Sequence, residues 1–528
     1  MARSRGSLPL GTDPVVSWSV SLGVTVLALV MRLWRLGSPH AILFDETYYA
    51  KDAWSLLQLG YTREYSNRAN DLILQGNFGG FGQNPSMEVH PELGKWLIAI
   101  GEKIFGLTPF GWRFSAAVIG SLMVLVLIRL ALRLTGSLAL AAAAGILLTF
   151  DGLEFVLSRL ALLDIFLSFF LLLAIHCVVA DRQWHHRRLA QRADEAGGGW
   201  GPVRTTLFRP WLFAAGVSFG LAAGCKWTAI YPLAAFAVMV VLWSAGARRK
   251  VGVRFPLAKS LVADGLPAFV HLVLVGVIVY IATWTAWLMH ANVYEEHFNA
   301  TQYALYDHGK PWPTASEPDA HGFGELTQSM RSLWHYHHDL YVFHTHFLND
   351  ATHTYQSLPQ GWLLLNRPVG VDAQTGIQPG ERGCDAPKGS DCLKQVLLLG
   401  TPALWWGGCL ALLGALAMWV GARDWRFGVT IVGVASTWLP WLQYDDRPIF
   451  LFYAMPCLPF MILACVLLMG RAIGPGTELT RRRTIGVIGS GVFVLLVVVN
   501  FIWFYPIFAD HLITHSQWLE RIWFKRWI

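Results

Sequence analysis

Apolar residues along the chain gather in long, unbroken runs, with neither the alternation of a half-buried strand nor a sustained heptad. Runs of about 20 residues match the length at which a helix crosses the hydrocarbon of a bilayer. The pattern predicts membrane helices near 16–36, 113–134, 138–153, 163–180, 211–224, 227–245, 267–289, 395–421, 427–443, 449–470 and 484–506, eleven in all. An outer-membrane barrel is excluded, because its strands read as alternating segments of about ten residues. The first run, Val16 to Leu36, is longer than a signal-peptide core and lacks a small-residue cleavage site, so it is expected to be retained as the first helix.

Composition sharpens the class. Only 14% of the 528 residues are charged and 54% are hydrophobic, where a soluble domain carries roughly 25% charge. Collagen, coiled coil, disordered tail and disulfide-stapled mini-protein are excluded as well, which leaves an all-α polytopic membrane protein. Charge then orients it. With the N-terminus in the cytoplasm, 21 Lys/Arg fall in about 94 inner residues against 14 in about 205 outer ones. The expected organisation is a cytoplasmic tail 1–15, an N-terminal transmembrane module 16–289 with an outer loop 37–93, a large outer loop 290–393, C-terminal helices 394–506 and an outer tail 507–528, in the plasma membrane.

The formal net charge of +7 has its explanation in this orientation and in anionic membrane lipid. No basic stretch is interleaved with aromatics as a nucleic-acid groove requires, so no nucleic acid is expected as a partner. Phosphate-loop and dinucleotide fingerprints are missing. The lack of an internal repeat, and charges gathered at one face, argue against a transporter or lipid flippase. Chemistry is expected on the outer side.

Of the seven cysteines, Cys177, Cys225, Cys409, Cys457 and Cys465 lie in or beside apolar runs and read as small hydrophobes. Cys384 and Cys392 close a Gly/Pro/Asp-rich hairpin, GCDAPKGSDC, in an outer loop. That compartment permits a disulfide, and one is expected there; the alternatives are two free thiols or metal ligation.

A charge at membrane depth costs roughly 2.5–3.5 kcal/mol, so every ionisable residue near a span asks for a reason. Asp45 and Glu46 sit in FDETYYAKDAW, just beyond the first helix, in a segment that reads as an amphipathic helix at the interface. They are either acids decorating a helix N-terminus or a general base held above the membrane, and adjacent carboxylates diverge, so one of them serves a given reacting atom. His90 and Lys95 belong to HPELGKW, which leads into a second amphipathic stretch, and Arg113 stands at the outer end of the second span among small residues. Arg159 and Asp164 share a short outer connection with Asp151 and Glu154, where a structural pairing of Arg159 with Asp164 or Glu154 is expected. Lys226 follows the fifth span, and Asp445, Asp446, Arg447 and Tyr453 precede the tenth. Lys95, Arg113, Lys226 and Arg447 thus gather where a lipid phosphate would sit, beside a carboxylate able to take a proton from an incoming hydroxyl. That is the layout for moving a sugar off a lipid phosphate.

The ordered set FDE (44–46), HPELGK (90–95), GWR (111–113), SRLALLD (158–164), GCKWT (224–228) and DRPIFLFY (446–453) resembles the protein O-mannosyltransferases of glycosyltransferase family 39, in their bacterial, actinobacterial-like form. The resemblance implies the C-type glycosyltransferase fold. It also implies transfer of mannose, with inversion, from polyprenyl-phosphate mannose to Ser/Thr hydroxyls of proteins emerging from the Sec translocon, with no cofactor required. It maps the catalytic carboxylate onto Asp45, with Glu46 beside it, and Arg113 onto the donor phosphate or the architecture supporting it. The motif match extends to Lys95, Lys226, Arg447 and Tyr453, whose donor-side roles rest on charge and side.

One departure stands out: eukaryotic members carry a β-trefoil domain in the central outer loop, for which residues 290–393 are too few. This loop holds ten of the 18 histidines, including His335, His338, His344 and His346 in WHYHHDLYVFHTH. Their spacing matches no structural zinc pattern, so an interfacial helix rich in aromatics is expected and no metal site. His90, and Trp362 and Arg367 in the following HTYQSLPQGWLLLNRPV, are candidates for contacting donor or acceptor.

Overall fold

A computed structural model of the chain describes residues 13–192, 199–203, 207–299, 321–349, 351–444, 446–476, 478 and 480–528. Among them, eight helices are long and apolar enough to cross a membrane: Pro14–Leu33, Pro109–Thr135, Leu163–Gln191, Trp227–Lys250, Gly265–Ala282, Pro402–Val420, Leu451–Ile473 and Arg481–Phe508. Three further stretches expected in the membrane fold as shorter helices, Leu138–Thr149, Pro210–Ala223 and Trp425–Trp438. The chain is a multi-pass membrane protein.

Leu163–Gln191 and Leu451–Ile473 form the centre, with 89% of their apolar windows buried, while Pro14–Leu33, Gly265–Ala282 and Arg481–Phe508, at 22%, stand at the lipid-facing rim. Lipid tails are as apolar as leucine, so helices associate through close packing and small residues. Gly216 and Gly220 show this: a Cβ at Gly216 would sit 1.8 Å from the His271 carbonyl oxygen, and one at Gly220 would sit 2.5 Å from that of Gly276. The GVSFG spacing lets Pro210–Ala223 lie backbone to backbone against Gly265–Ala282.

The loop after the first helix packs against the segment after Gly265–Ala282, where Tyr294 donates to Glu88 at 3.1 Å. In the first loop, the expected interfacial helices form as Glu46–Leu59 and Leu93–Phe105, and strands β1 (Arg63–Tyr65) and β2 (Phe81–Pro85) pair antiparallel between them. Later, β3 (Val369–Ile377), β4 (Cys392–Leu398) and β5 (Ile513–Thr514) make a three-stranded antiparallel sheet. The hairpin between β3 and β4 is closed by a Cys384–Cys392 disulfide.

The sheet corrects the span expected at 395–421. Its first residues are the strand β4, and the helix starts only at Pro402. A short apolar run buried on both faces has the hydropathy of a helix end, and only its partner strand distinguishes the two.

Candidate active site

The pair Asp45–Glu46 starts the Glu46–Leu59 helix, and the fold gives its two members opposite surroundings. Glu46 is fully buried and wholly engaged. Its Oε1 accepts from Arg113 Nε at 2.8 Å and from the Ala161 N–H at 3.0 Å, and its Oε2 accepts from Arg113 Nη2 at 2.8 Å and from the Leu43 N–H at 3.0 Å. The remaining donors of Arg113 go to the carbonyls of Leu36, Pro39 and Ala41. Such a two-pronged guanidinium–carboxylate pair is rigid, so Arg113 lies in the architecture beneath the site and has no donor left for a phosphate.

Asp45 is half-buried and caps no N–H of its helix. Burial raises its carboxyl, the Lys226 ammonium pulls the other way and the Asp164 carboxylate adds to the rise, with a pKa of about 6 as the result. It is therefore an ionised, accessible carboxylate at neutral pH whose basicity exceeds that of an ordinary aspartate.

Around Asp45 the fold collects residues from distant segments. Lys226 Nζ donates to Asp164 Oδ2 at 2.8 Å and lies 4.8 Å from the centre of the Tyr453 ring. Tyr49, one helical turn after Asp45, turns its ring toward His90 at 6.2 Å, and His90 stacks on His344 at 5.5 Å. His344 Nε2 donates to the Val89 carbonyl at 3.0 Å, which leaves Nδ1 to face Arg447 Nη1 at 3.3 Å. The same Nη1 donates to the His344 carbonyl at 2.8 Å, and Arg447 Nε is buried with no partner among the described residues. Burial pushes His90 well below the usual histidine range, with Lys226 next in effect. It lowers His344 to about 4, against the bond to Val89. Both rings stay neutral at pH 7, so the positive charge here belongs to Lys226 and Arg447. From Lys226, Asp164 and Tyr453 a narrow cleft runs into the bundle past Leu167, Tyr231 and Trp441.

Other candidates lie elsewhere. Lys95 is buried between Glu88 Oε2 at 2.7 Å and Asp52 Oδ2 at 3.0 Å. Burial opposes its charge, but those two carboxylates raise its pKa above the ordinary lysine value. Two of its three donors are thus taken by carboxylates outside the Asp45 cluster. The expected Arg159–Asp164 pair does not form. The two residues flank a break before the Leu163–Gln191 helix, so five residues of separation do not put them on one face. Arg159 Nη1 donates to the carbonyls of Arg32 and Trp34 at 2.8 and 2.6 Å, and Nη2 to that of Arg35 at 3.0 Å, capping the end of the first helix. Asp164 takes Lys226, and Glu154 takes the buried Arg32.

Trp362 is fully buried and supports the site from behind, edge-on to Tyr453 at 6.1 Å. Arg367 does not join the cluster: it holds the carbonyls of Arg526, Ile528 and Thr354, tying down the C-terminal tail. Asp445 lies outside the described residues. Among the described residues no group of three His, Cys, Asp or Glu is arranged to hold a metal ion.

Sequence reading missed Asp52, Glu88, Tyr49 and the partnership of His344 with His90. One signal was present: Asp45, Tyr49 and Asp52 recur at i, i+4 and i+7, a single helix face. The other partners come from other segments and leave no local trace.

Comparison with known proteins places this geometry. Residues 22–291 match the family described as dolichyl-phosphate-mannose-protein mannosyltransferase, and residues 329–527 match the C-terminal four-helix region of protein O-mannosyltransferase. A polyprenol-phosphate-mannose–protein mannosyltransferase of Mycolicibacterium smegmatis is 35% identical over 98% of this chain and 94% of its own length. Its namesake in Mycobacterium tuberculosis is 34% identical over 98% and 92%, and that of Corynebacterium glutamicum 32% over 97% and 93%. In fold, the chain resembles the Saccharomyces cerevisiae Pmt1–Pmt2 complex bound to the sugar donor, with a TM-score of 0.67, 13% identity and coverage of 99% and 93%. With both halves matched in order and relatives this similar over nearly the full length, the chain belongs to the dolichyl-phosphate-mannose-protein mannosyltransferase family and has its C-type glycosyltransferase fold.

Proposed function

We propose that this protein transfers mannose from polyprenyl-phosphate mannose to Ser/Thr hydroxyls of proteins at the outer face of the plasma membrane, with inversion at the sugar carbon. The observation that carries the mechanism is the division of the acidic pair: Glu46 is locked by Arg113, and Asp45 is left half-buried with a carboxyl at about 6 beside Lys226. Asp45 accepts the hydroxyl proton as that oxygen attacks the anomeric carbon. The bond from that carbon to the phosphate oxygen breaks, and the phosphate leaves with the electron pair. Lys226 and Arg447 stabilise the leaving charge. The excess of Lys/Arg in the shorter loops supports a cytoplasmic N-terminus and an outward site, where acceptors are met as they leave the Sec translocon.

The test is transfer of radiolabelled mannose from polyprenyl-phosphate mannose to a Ser/Thr-rich peptide by wild type and Asp45→Asn. Wild type labels the peptide, and the variant loses roughly two to four powers of ten in turnover, the usual worth of a positioned base, while donor binding stays near normal. Undiminished turnover in Asp45→Asn would sink the base assignment. A folded wild type that labels nothing from intact donor would mean a different sugar or acceptor.

A further inference from the structure

The residue before Asp45 has a bulky side chain on a left-handed backbone: Phe44 has φ +47°. Bulky non-glycine residues adopt that conformation uncommonly, so one that does asks for a structural reason. Here three rings meet Phe44 edge-on, Phe450 at 5.5 Å and 85°, Phe452 at 5.9 Å and 86°, and His353 at 5.8 Å and 85°. Phe450 and Phe452 stack on each other at 5.6 Å, and His353 closes against Phe450 at 5.0 Å. Phe452 is fully buried. On the other flank, the Leu43 N–H is held by Glu46, itself locked by Arg113.

The clamp bridges the two halves of the chain. Phe44 lies in the N-terminal match, and its three ring partners lie in the C-terminal one. Phe450 and Phe452 share a short segment with Arg447 and Tyr453, and the Tyr453 ring stands 4.9 Å from Phe452. Whatever moves that segment moves both Arg447 and the turn that carries Asp45.

We propose that Phe44 is a positioning residue: held edge-on by Phe450, Phe452 and His353, it fixes the left-handed turn that aims the Asp45 carboxylate toward Lys226 and sets it in register with Arg447. The inference rests on the reading of Asp45 as the base. A small misplacement of a reacting group is worth up to about 100-fold in rate, so the clamp acts on turnover more than on donor capture.

The experiment uses the purified full chain in lipid nanodiscs. Mannose transfer is measured against pH, and donor binding separately, for wild type, Phe44→Ala, Phe44→Leu, Phe450→Leu, the Phe44→Ala/Phe450→Leu pair and Asp45→Asn. Phe44→Ala is expected to lower kcat by about 10- to 100-fold with donor affinity within about twofold of wild type. The acidic limb of kcat/KM moves to lower pH as water reaches the carboxyl. Phe44→Leu, which keeps part of the apolar bulk but no ring edges, falls between. Phe450→Leu acts in the same direction from the other half, and the double variant loses less than the product of the two single losses, as residues in contact do. Equal kcat per folded enzyme, an unmoved limb or strictly multiplicative losses overturn the proposal. If Phe44→Ala does not fold, Phe44→Leu and Phe450→Leu carry the same readouts. Retained turnover in Asp45→Asn removes the base itself, whereas an inactive Asp45→Asn beside normal Phe44 and Phe450 variants removes only the clamp.

Discussion

With burial holding the Asp45 carboxyl near 6, the proposed base is protonated, and unable to accept the acceptor's proton, below that value. The sign follows: kcat/KM rises with pH through about 6 and is flat above it, until another group intervenes. A profile flat down to pH 4 would place the proton elsewhere. Glu46 differs because its charge is already spent on Arg113 inside the protein. Breaking one member of a buried pair strands the other, at a cost of about 3–5 kcal/mol. Glu46→Gln should therefore lower the unfolding midpoint in detergent far more than Asp45→Asn does. Joint replacement of Glu46 and Arg113 by apolar residues of similar volume should cost less than the two single changes added together.

Among the elements, the Leu93–Phe105 helix is tied at its start to two other segments. Glu92 accepts from the N–H groups of Trp287 at 2.6 Å and Ala286 at 3.2 Å, and Lys95 binds Glu88 and Asp52. Lys95→Met would leave the buried Glu88 and the half-buried Asp52 without their cation, so a fall in stability is expected, with donor affinity within about twofold of wild type; a loss of tenfold or more, about 1.4 kcal/mol, would return Lys95 to the phosphate. The β3–β4 hairpin is cross-linked across a separation of eight residues, which in the chain-entropy account contributes roughly 2–3 kcal/mol. Cys384→Ser should accordingly speed proteolysis within the hairpin while mannose transfer stays near wild type, because the bridge lies outside the Asp45 cluster.

At the scale of the whole molecule, the proposed topology predicts that a single cysteine introduced at the N-terminus of a cysteine-depleted protein resists a membrane-impermeant thiol reagent in intact cells, and that one at Gly389 reacts. The reverse pattern would invert the orientation and with it the side on which acceptors are met. The sequence by itself determined the membrane class, the succession of long apolar helices and the cysteine pair, because each is written in local composition that a bilayer or a short loop reads directly. Through the family resemblance it also pointed to Asp45 as the proposed base, with Glu46 beside it. Only the tertiary structure shows how the two carboxylates differ, since Arg113, 67 residues away, binds Glu46 and leaves Asp45 without a cap bond. It likewise gave Asp164 to Lys226, 62 residues distant, and turned Arg159 onto the carbonyls that end the first helix. A buried charge must find its partner wherever packing brings one within reach. That distance in space has no counterpart in spacing along the chain.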